Sequence, residues 1–127
     1  MADRVDLALT LRTLSVDSVP LNFLDPRPGT PLENQKKLSP ETALRIISVF
    51  RFALPDCPIG VFGGRQTVIA DRQLDIFRAG ANRIMIGDYL TTSGNPAAVD
   101  RQLVENGTGC PLSNHSSICF ARKGALE

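Results

Sequence analysis

The chain has 127 residues, 43% of them apolar and 21% charged, which is the composition of one ordinary globular domain with a modest core. A formal net charge of +1, with no clustered basic face, excludes an electrostatic case for nucleic-acid binding. No apolar run approaches the roughly 20 residues of a spanning helix. The polar start, Met1-Ala2-Asp3-Arg4-Val5-Asp6, has no signal-peptide core, and a cytoplasmic protein without membrane partners is expected.

Taken in order, the elements alternate. Leu7, Leu9, Leu11 and Leu14 behind Asp6 predict a helix over about residues 3–15. Residues 19–24 read as a strand, with Pro20 suiting its start. Residues 25–37 form a long polar loop rich in proline. Ser39-Pro40-Glu41-Thr42 is a helix start, with Ser39 as N-cap and Pro40 as the first helical residue. Leu44, Ile47 and Phe50 give that helix an apolar face, and Pro55 sets its end near Leu54.

Residues 59–62 read as a short buried strand. Residues 71–78 read as a helix closed by Gly80, and residues 84–86 as a third strand. Residues 96–105 form a last helix, with Asn95 as a plausible cap. Residues 108–127 have no periodicity and read as an unstructured tail after a folded part over residues 1–107.

Strands alternating with helices predict right-handed crossovers and a parallel sheet, hence an α/β fold. Three strands leave two open edges, so the pattern suggests an incomplete unit. Each glycine cluster falls where an apolar run stops, and in α/β proteins such loops carry sites.

Three cysteines, Cys57, Cys110 and Cys119, make no disulfide framework. Cys110-x4-His115-x3-Cys119 offers three of the four ligands a closed zinc site needs, so no metal site is expected. Asn106-Gly107-Thr108 and Asn114-His115-Ser116 match the glycosylation pattern, which has no meaning without secretion.

The passage 19–32, Val-Pro-Leu-Asn-Phe-Leu-Asp-Pro-Arg-Pro-Gly-Thr-Pro-Leu, is followed in order by further motifs. They are Ala43-Leu44-Arg45-Ile46-Ile47, Gly63-Gly64-Arg65, Ala79-Gly80-Ala81-Asn82 and Gly87-Asp88-Tyr89-Leu90-Thr91-Thr92. Together these resemble the C-terminal part of the biotin synthase family over roughly residues 3–107. The resemblance implies the last three βα units of a (β/α)8 TIM-type barrel. It implies radical S-adenosylmethionine chemistry that inserts sulfur into dethiobiotin to give biotin, with a [4Fe–4S] cluster and a second iron–sulfur cluster as cofactors. It also implies a homodimer for the complete enzyme.

The family's Cys-x3-Cys-x2-Cys motif, whose thiolates hold the radical cluster, is absent from this chain. By this reading the chain is a fragment, ligates no cluster and is inactive alone. The alternative is a non-catalytic half-barrel module that dimerises or docks on a partner. Thiazole-synthesis and hydrogenase-maturation relatives share similar segments, and the surroundings of Asn22 favour the biotin branch.

By the resemblance, Asn22 hydrogen-bonds the ureido ring of dethiobiotin, since an amide offers a cyclic urea both donor and acceptor. A strand-end Asn that bonds its own loop is the plainer alternative. Gly60 departs from the family, many of whose members carry there an arginine bound to the second cluster. Cys57, just before that strand, is not expected to replace it.

Gly63, Gly64 and Arg65 shape the site at a strand-to-loop switch, where glycines permit positive φ and close backbone approach. Arg65 is expected to pair with an acid such as Asp71 or Asp88. A phosphate-binding loop around Gly64 is a weaker third idea. Asp88 follows the last strand at the same end and either orients Arg65 or makes a cap or loop bond.

Overall fold

The structure is a computed structural model, and it describes residues 1–89 and 93–109 together with the backbone of 118–120. Its element order is α1 (Ala2–Thr13), β1 (Val19–Leu21), α2 (Pro40–Ala53), β2 (Ile59–Val61), α3 (Asp75–Arg78), β3 (Arg83–Met85), α4 (Ala97–Thr108) and β4 (Ile118–Phe120). A π-helical turn at Arg65–Ile69 and a 3₁₀ turn at Ala70–Arg72 stand between β2 and α3.

The strands form one sheet in the order β1-β2-β3-β4. β1, β2 and β3 run parallel, as the alternating pattern requires. β4 adds a fourth strand, antiparallel on β3, in a stretch whose sequence has no strand periodicity. Residues 110–117 and 121–127 of the tail, and the Leu90-Thr91-Thr92 part of the last motif, lie outside the described residues, while Thr108 and Gly109 belong to the end of α4.

Register sorts the side chains of the parallel strands into two faces. Val19 pairs with Ile59, Leu21 with Val61, and Val61 with Ile84, so these share one face. Val19, Ile59, Val61 and Ile84 are all buried there, in one core with Ala43, Leu44, Ile46, Ile47 and Phe50 of α2. The other face carries Pro20, Gly60 and Arg83 in register.

Helix α2 forms where the sequence places it. The Ser39 hydroxyl accepts the Thr42 N–H at 3.2 Å, and Pro40 opens the first turn. Its far end is tied down by Arg51, whose guanidinium donates to the carbonyls of Gly80, Leu54, Pro55 and Cys57 at 2.8–3.0 Å. These are loop and helix-end acceptors that would otherwise depend on solvent.

Two expected elements differ. The helix expected over 71–78 is two short pieces, the 3₁₀ turn and a one-turn α3, with the π turn before them. Ala70, where the π turn meets the 3₁₀ turn, has φ +52° and ψ −118°, outside the helical region, so the π turn does not run on into the pieces that follow. Asn95 does not cap α4. Pro96 holds the cap position, and the Asn95 amide turns instead to the Asp100 carboxylate. α4 also runs past residue 105, to Thr108, and Gly109 closes it in the left-handed conformation.

Ile47 lies at the centre of the helix–sheet core and is fully buried. Replacing it with alanine should cost about 2–5 kcal/mol of unfolding free energy. Chemical denaturation followed by circular dichroism measures this, and a loss below about 1 kcal/mol would contradict the packing described.

Candidate functional site at the carboxyl ends of the strands

The carboxyl ends of β1, β2 and β3 bring together Asn22, the Gly63-Gly64 turn and Tyr89. Beyond Leu21 the first two chains stay in hydrogen-bonding contact. Phe62 N–H donates to Leu21 O at 3.0 Å, and Phe23 N–H donates to Gly63 O at 2.9 Å. Asn22, exposed between them, accepts the Gly63 N–H on its Oδ1 at 2.7 Å. Tyr89, from the chain after β3, donates its hydroxyl to the Phe62 carbonyl at 2.8 Å. All three strand ends are thereby joined by hydrogen bonds.

The bond to Gly63 alters the expected use of Asn22. Gly63 N–H takes one of the two lone pairs of Oδ1, so the oxygen keeps only part of its acceptor capacity for a ligand. The Nδ2 of the same amide has no partner among the described residues and remains as a two-hydrogen donor. The loop-bonding role is the one the structure shows, and it leaves the Nδ2 donors available.

Two glycines make this approach sterically feasible. A Cβ on Gly63 would stand 2.9 Å from Asn22 Oδ1. Gly64 has φ +75°, and a Cβ there would overlap the Phe23 carbonyl.

Arg65 is wholly buried, and so is its partner, which is neither Asp71 nor Asp88 but Asp100 on α4. The pair is bidentate: Nη1 donates to Oδ1 at 3.0 Å and Nη2 to Oδ2 at 2.8 Å. Nη2 also donates to the Met85 carbonyl at 3.2 Å, and Nη1 to Gln73. The Asn95 amide donates to Asp100 at 2.9 Å. Asp71 is exposed on the 3₁₀ turn, while Asp88 accepts the Gly94 N–H at 2.9 Å and holds its own loop. A phosphate in solution cannot reach the Arg65 guanidinium, which removes the main support for a phosphate-binding loop.

Sequence reasoning missed Asp100, Gln73, Asn95 and Tyr89 as members of this constellation. A signal for Asp100 was present. It stands three and four residues before Leu103 and Val104, on the face of α4 that turns inward, where an unpaired carboxylate would be costly.

The Gly60 departure has a structural counterpart. A Cβ at Gly60 would lie 2.7 Å from Phe62 Cζ and 3.3 Å from Arg83 Cβ. The Phe62 ring thus fills the space that a longer side chain would take, and an arginine could enter only if Phe62 moved. Cys57 lies at the opposite end of β2. Its thiol donates to Val16 O at 3.4 Å, and burial pushes it above its ordinary value of 9.0. Among the described residues no group of three His, Cys, Asp or Glu could hold a metal ion, and no helix is long and apolar enough to cross a membrane.

The loop after Asn22 is pinned by Asp25, which pairs with Lys37 at 2.8 Å and Arg27 at 2.7 Å. The Lys37 hydrogen bond, with the charges of Lys37 and Arg27, outweighs burial and holds the Asp25 carboxyl below its ordinary 3.8.

Two outcomes follow. Gly64→Ala should cost roughly 2–4 kcal/mol in a denaturant melt, from the left-handed backbone and the overlap with Phe23 together; a change within about 0.5 kcal/mol would refute the close approach. Because the Asp25 pKa is depressed in the fold, its contribution exists above the ordinary value and is lost as pH falls through 3.8 and below. The stability gap between the native chain and Asp25→Asn should therefore be present at neutral pH and close in acid; a gap independent of pH would contradict the ion pairs.

Comparison with known proteins agrees with the resemblance. Residues 20–107 match the family described as "Biotin and Thiamin Synthesis associated domain". The biotin synthase of Geotalea uraniireducens (strain Rf4) is 52% identical over 103 residues, covering 81% of this chain and 31% of that protein. The biotin synthase of Geobacter metallireducens is 52% identical over 105 residues, covering 83% of this chain and 32% of that protein. That of Syntrophus aciditrophicus is 44% identical over 104 residues, with 82% and 32% covered. The chain spans about a third of the length of the curated relatives it matches. With most of its length inside the matched region and its motifs in order, the chain belongs to the Biotin and Thiamin Synthesis associated domain family, as a part related to the C-terminal region of biotin synthases.

Proposed function

We propose that this chain supplies the substrate-binding side of a biotin synthase-like enzyme, one that inserts sulfur into dethiobiotin to give biotin. In this reading its three parallel strands are the last βα units of a (β/α)8 barrel, and their carboxyl ends face the substrate. The observation that carries it is the fixed Asn22 carboxamide. Its Oδ1 is held by Gly63 N–H, so its Nδ2 points its donors toward a ligand acceptor, which the carbonyl of a cyclic urea provides. Gly63, Gly64, Arg65 and Asp88 shape the site around it without touching the reacting atoms.

The cofactors belong to the remaining two thirds of such an enzyme. Bound there, S-adenosylmethionine and a [4Fe–4S] cluster would supply a hydrogen-abstracting radical, and a second iron–sulfur cluster the sulfur. The described residues do not fit either cluster: the one described thiol, Cys57, is at the wrong end of β2 and bonded to Val16 O. What this chain's residues do is bind and orient. Asn22 donates to the urea, the Gly63-Gly64 backbone sets its angle, and Tyr89 ties the third strand end to the second.

The test is a chimera in which this chain replaces the matching third of the Geotalea uraniireducens biotin synthase. The chimera should convert dethiobiotin to biotin. Asn22→Asp keeps an acceptor for Gly63 N–H but removes the Nδ2 donor and sets a negative charge against the urea oxygen. It should raise KM for dethiobiotin by about tenfold or more. A chimera with intact clusters that makes no biotin, or an unchanged KM in Asn22→Asp, would overturn the reading.

A further inference from the structure

We infer that Asp100 is a positioning residue for Asn22, acting through Arg65 and the Gly63-Gly64 turn. The inference rests on Asn22 as the substrate contact but names a residue outside that contact. The path is continuous in bonded groups. Asp100 grips both terminal nitrogens of Arg65 at 2.8 and 3.0 Å, in a site where both side chains are fully buried. Arg65 follows Gly64 directly, so anchoring its guanidinium fixes where the Gly63-Gly64 backbone stands. Gly63 in turn bonds Asn22 Oδ1 and, through its own carbonyl, Phe23 N–H.

The arrangement is more specific than a core ion pair needs. Arg65 also bonds the Met85 carbonyl at the end of β3, so the same guanidinium spans β2 and β3 at the end where Asn22 sits. Gln73 and Asn95 converge on the same pair. The backbone is bent to deliver Arg65 to this place: Gly64 is left-handed, the next five residues form a π turn, and Ala70 closes it at φ +52°. Backbone in such sparsely populated regions persists where surrounding contacts over-determine it, and π turns are frequent at functional sites. Asp100 is the main contact that would hold it here.

Removing the carboxylate charge while keeping shape should therefore release the turn locally. In Asp100→Asn, the Gly63 amide of the full 127-residue chain should exchange with solvent at least tenfold faster. The Asn22 side-chain NH₂ resonances should move toward those of a free amide. Backbone amides of α2 at Ile47 and of β3 at Ile84 should keep their rates within about twofold. A purely structural role would instead accelerate all of these in step through global unfolding.

Where Asp100→Asn fails to fold, Asn95→Ala, which removes one donor to Asp100, decides the matter. It should accelerate Gly63 alone, by about threefold. Unchanged Gly63 and Asn22 signals in the folded variant, or acceleration shared by Ile47 and Ile84, would overturn the proposal. The exchange is measured without dethiobiotin, so its outcome is independent of whether Asn22 binds that substrate.

Discussion

The ion pair between Arg65 and Asp100 is the constraint to which the surrounding geometry conforms. Two fully buried charges are tolerable only when they are paired and hydrogen-bonded, and here Nε is the one guanidinium nitrogen of Arg65 without a partner among the described residues. Here the guanidinium meets a bidentate carboxylate, the Met85 carbonyl and Gln73, and the carboxylate also accepts from Asn95. Breaking one partner of such a pair typically costs about 3–5 kcal/mol, because the other charge is left buried and unmatched. That penalty exceeds the cost of about 1–3 kcal/mol for a strained residue such as Ala70, while Gly64 adopts its left-handed backbone at little steric cost. The penalty is also large enough to fix α4 against the end of β3.

The same constraint organises the face where ligands would sit. Parallel strands end together, and their carboxyl ends collect loops from three separate parts of the chain. In this chain those loops are cross-linked by backbone and side-chain hydrogen bonds: Asn22 to Gly63, Phe23 to Gly63, and Tyr89 to Phe62. The exposed Asn22 Nδ2 is left with its donors free beside these bonds, among the described residues. A rigid surround with one free donor is how a site reads an acceptor on a neutral ring, since orientation is set before the ligand arrives.

Much of this was legible in the sequence, and the rest was not for physical reasons. Ser39-Pro40 announced α2, because capping chemistry is local. The apolar runs announced the three parallel strands, and the glycine clusters marked their ends. The strand read over residues 19–24 put Asn22 close to the carboxyl end of β1. What local pattern could not give was pairing across the chain. Arg65 and Asp100 are 35 residues apart, and the acids nearer at hand in the motifs, Asp71 and Asp88, were the natural guesses. The helix expected over residues 71–78 divides into a 3₁₀ turn and a one-turn α3, and Gln73 between them accepts from Arg65. Asn95 had the chemistry of a cap and was recruited by Asp100 instead. β4 has no periodicity to betray it, since three residues on a sheet edge need only backbone groups to pair.

The measurement that tests the central claim most directly is a double-mutant cycle on Arg65 and Asp100, using Arg65→Met and Asp100→Leu with unfolding free energy as the readout. If the pair governs this end of the fold, each single variant leaves a buried unmatched charge or dipole and is strongly destabilised. The double variant, with no charge left to satisfy, should be no worse than either single one, giving a coupling of about 3 kcal/mol. Additive losses, with coupling under about 0.5 kcal/mol, would contradict the account, because Arg65 and Asp100 would then be acting independently.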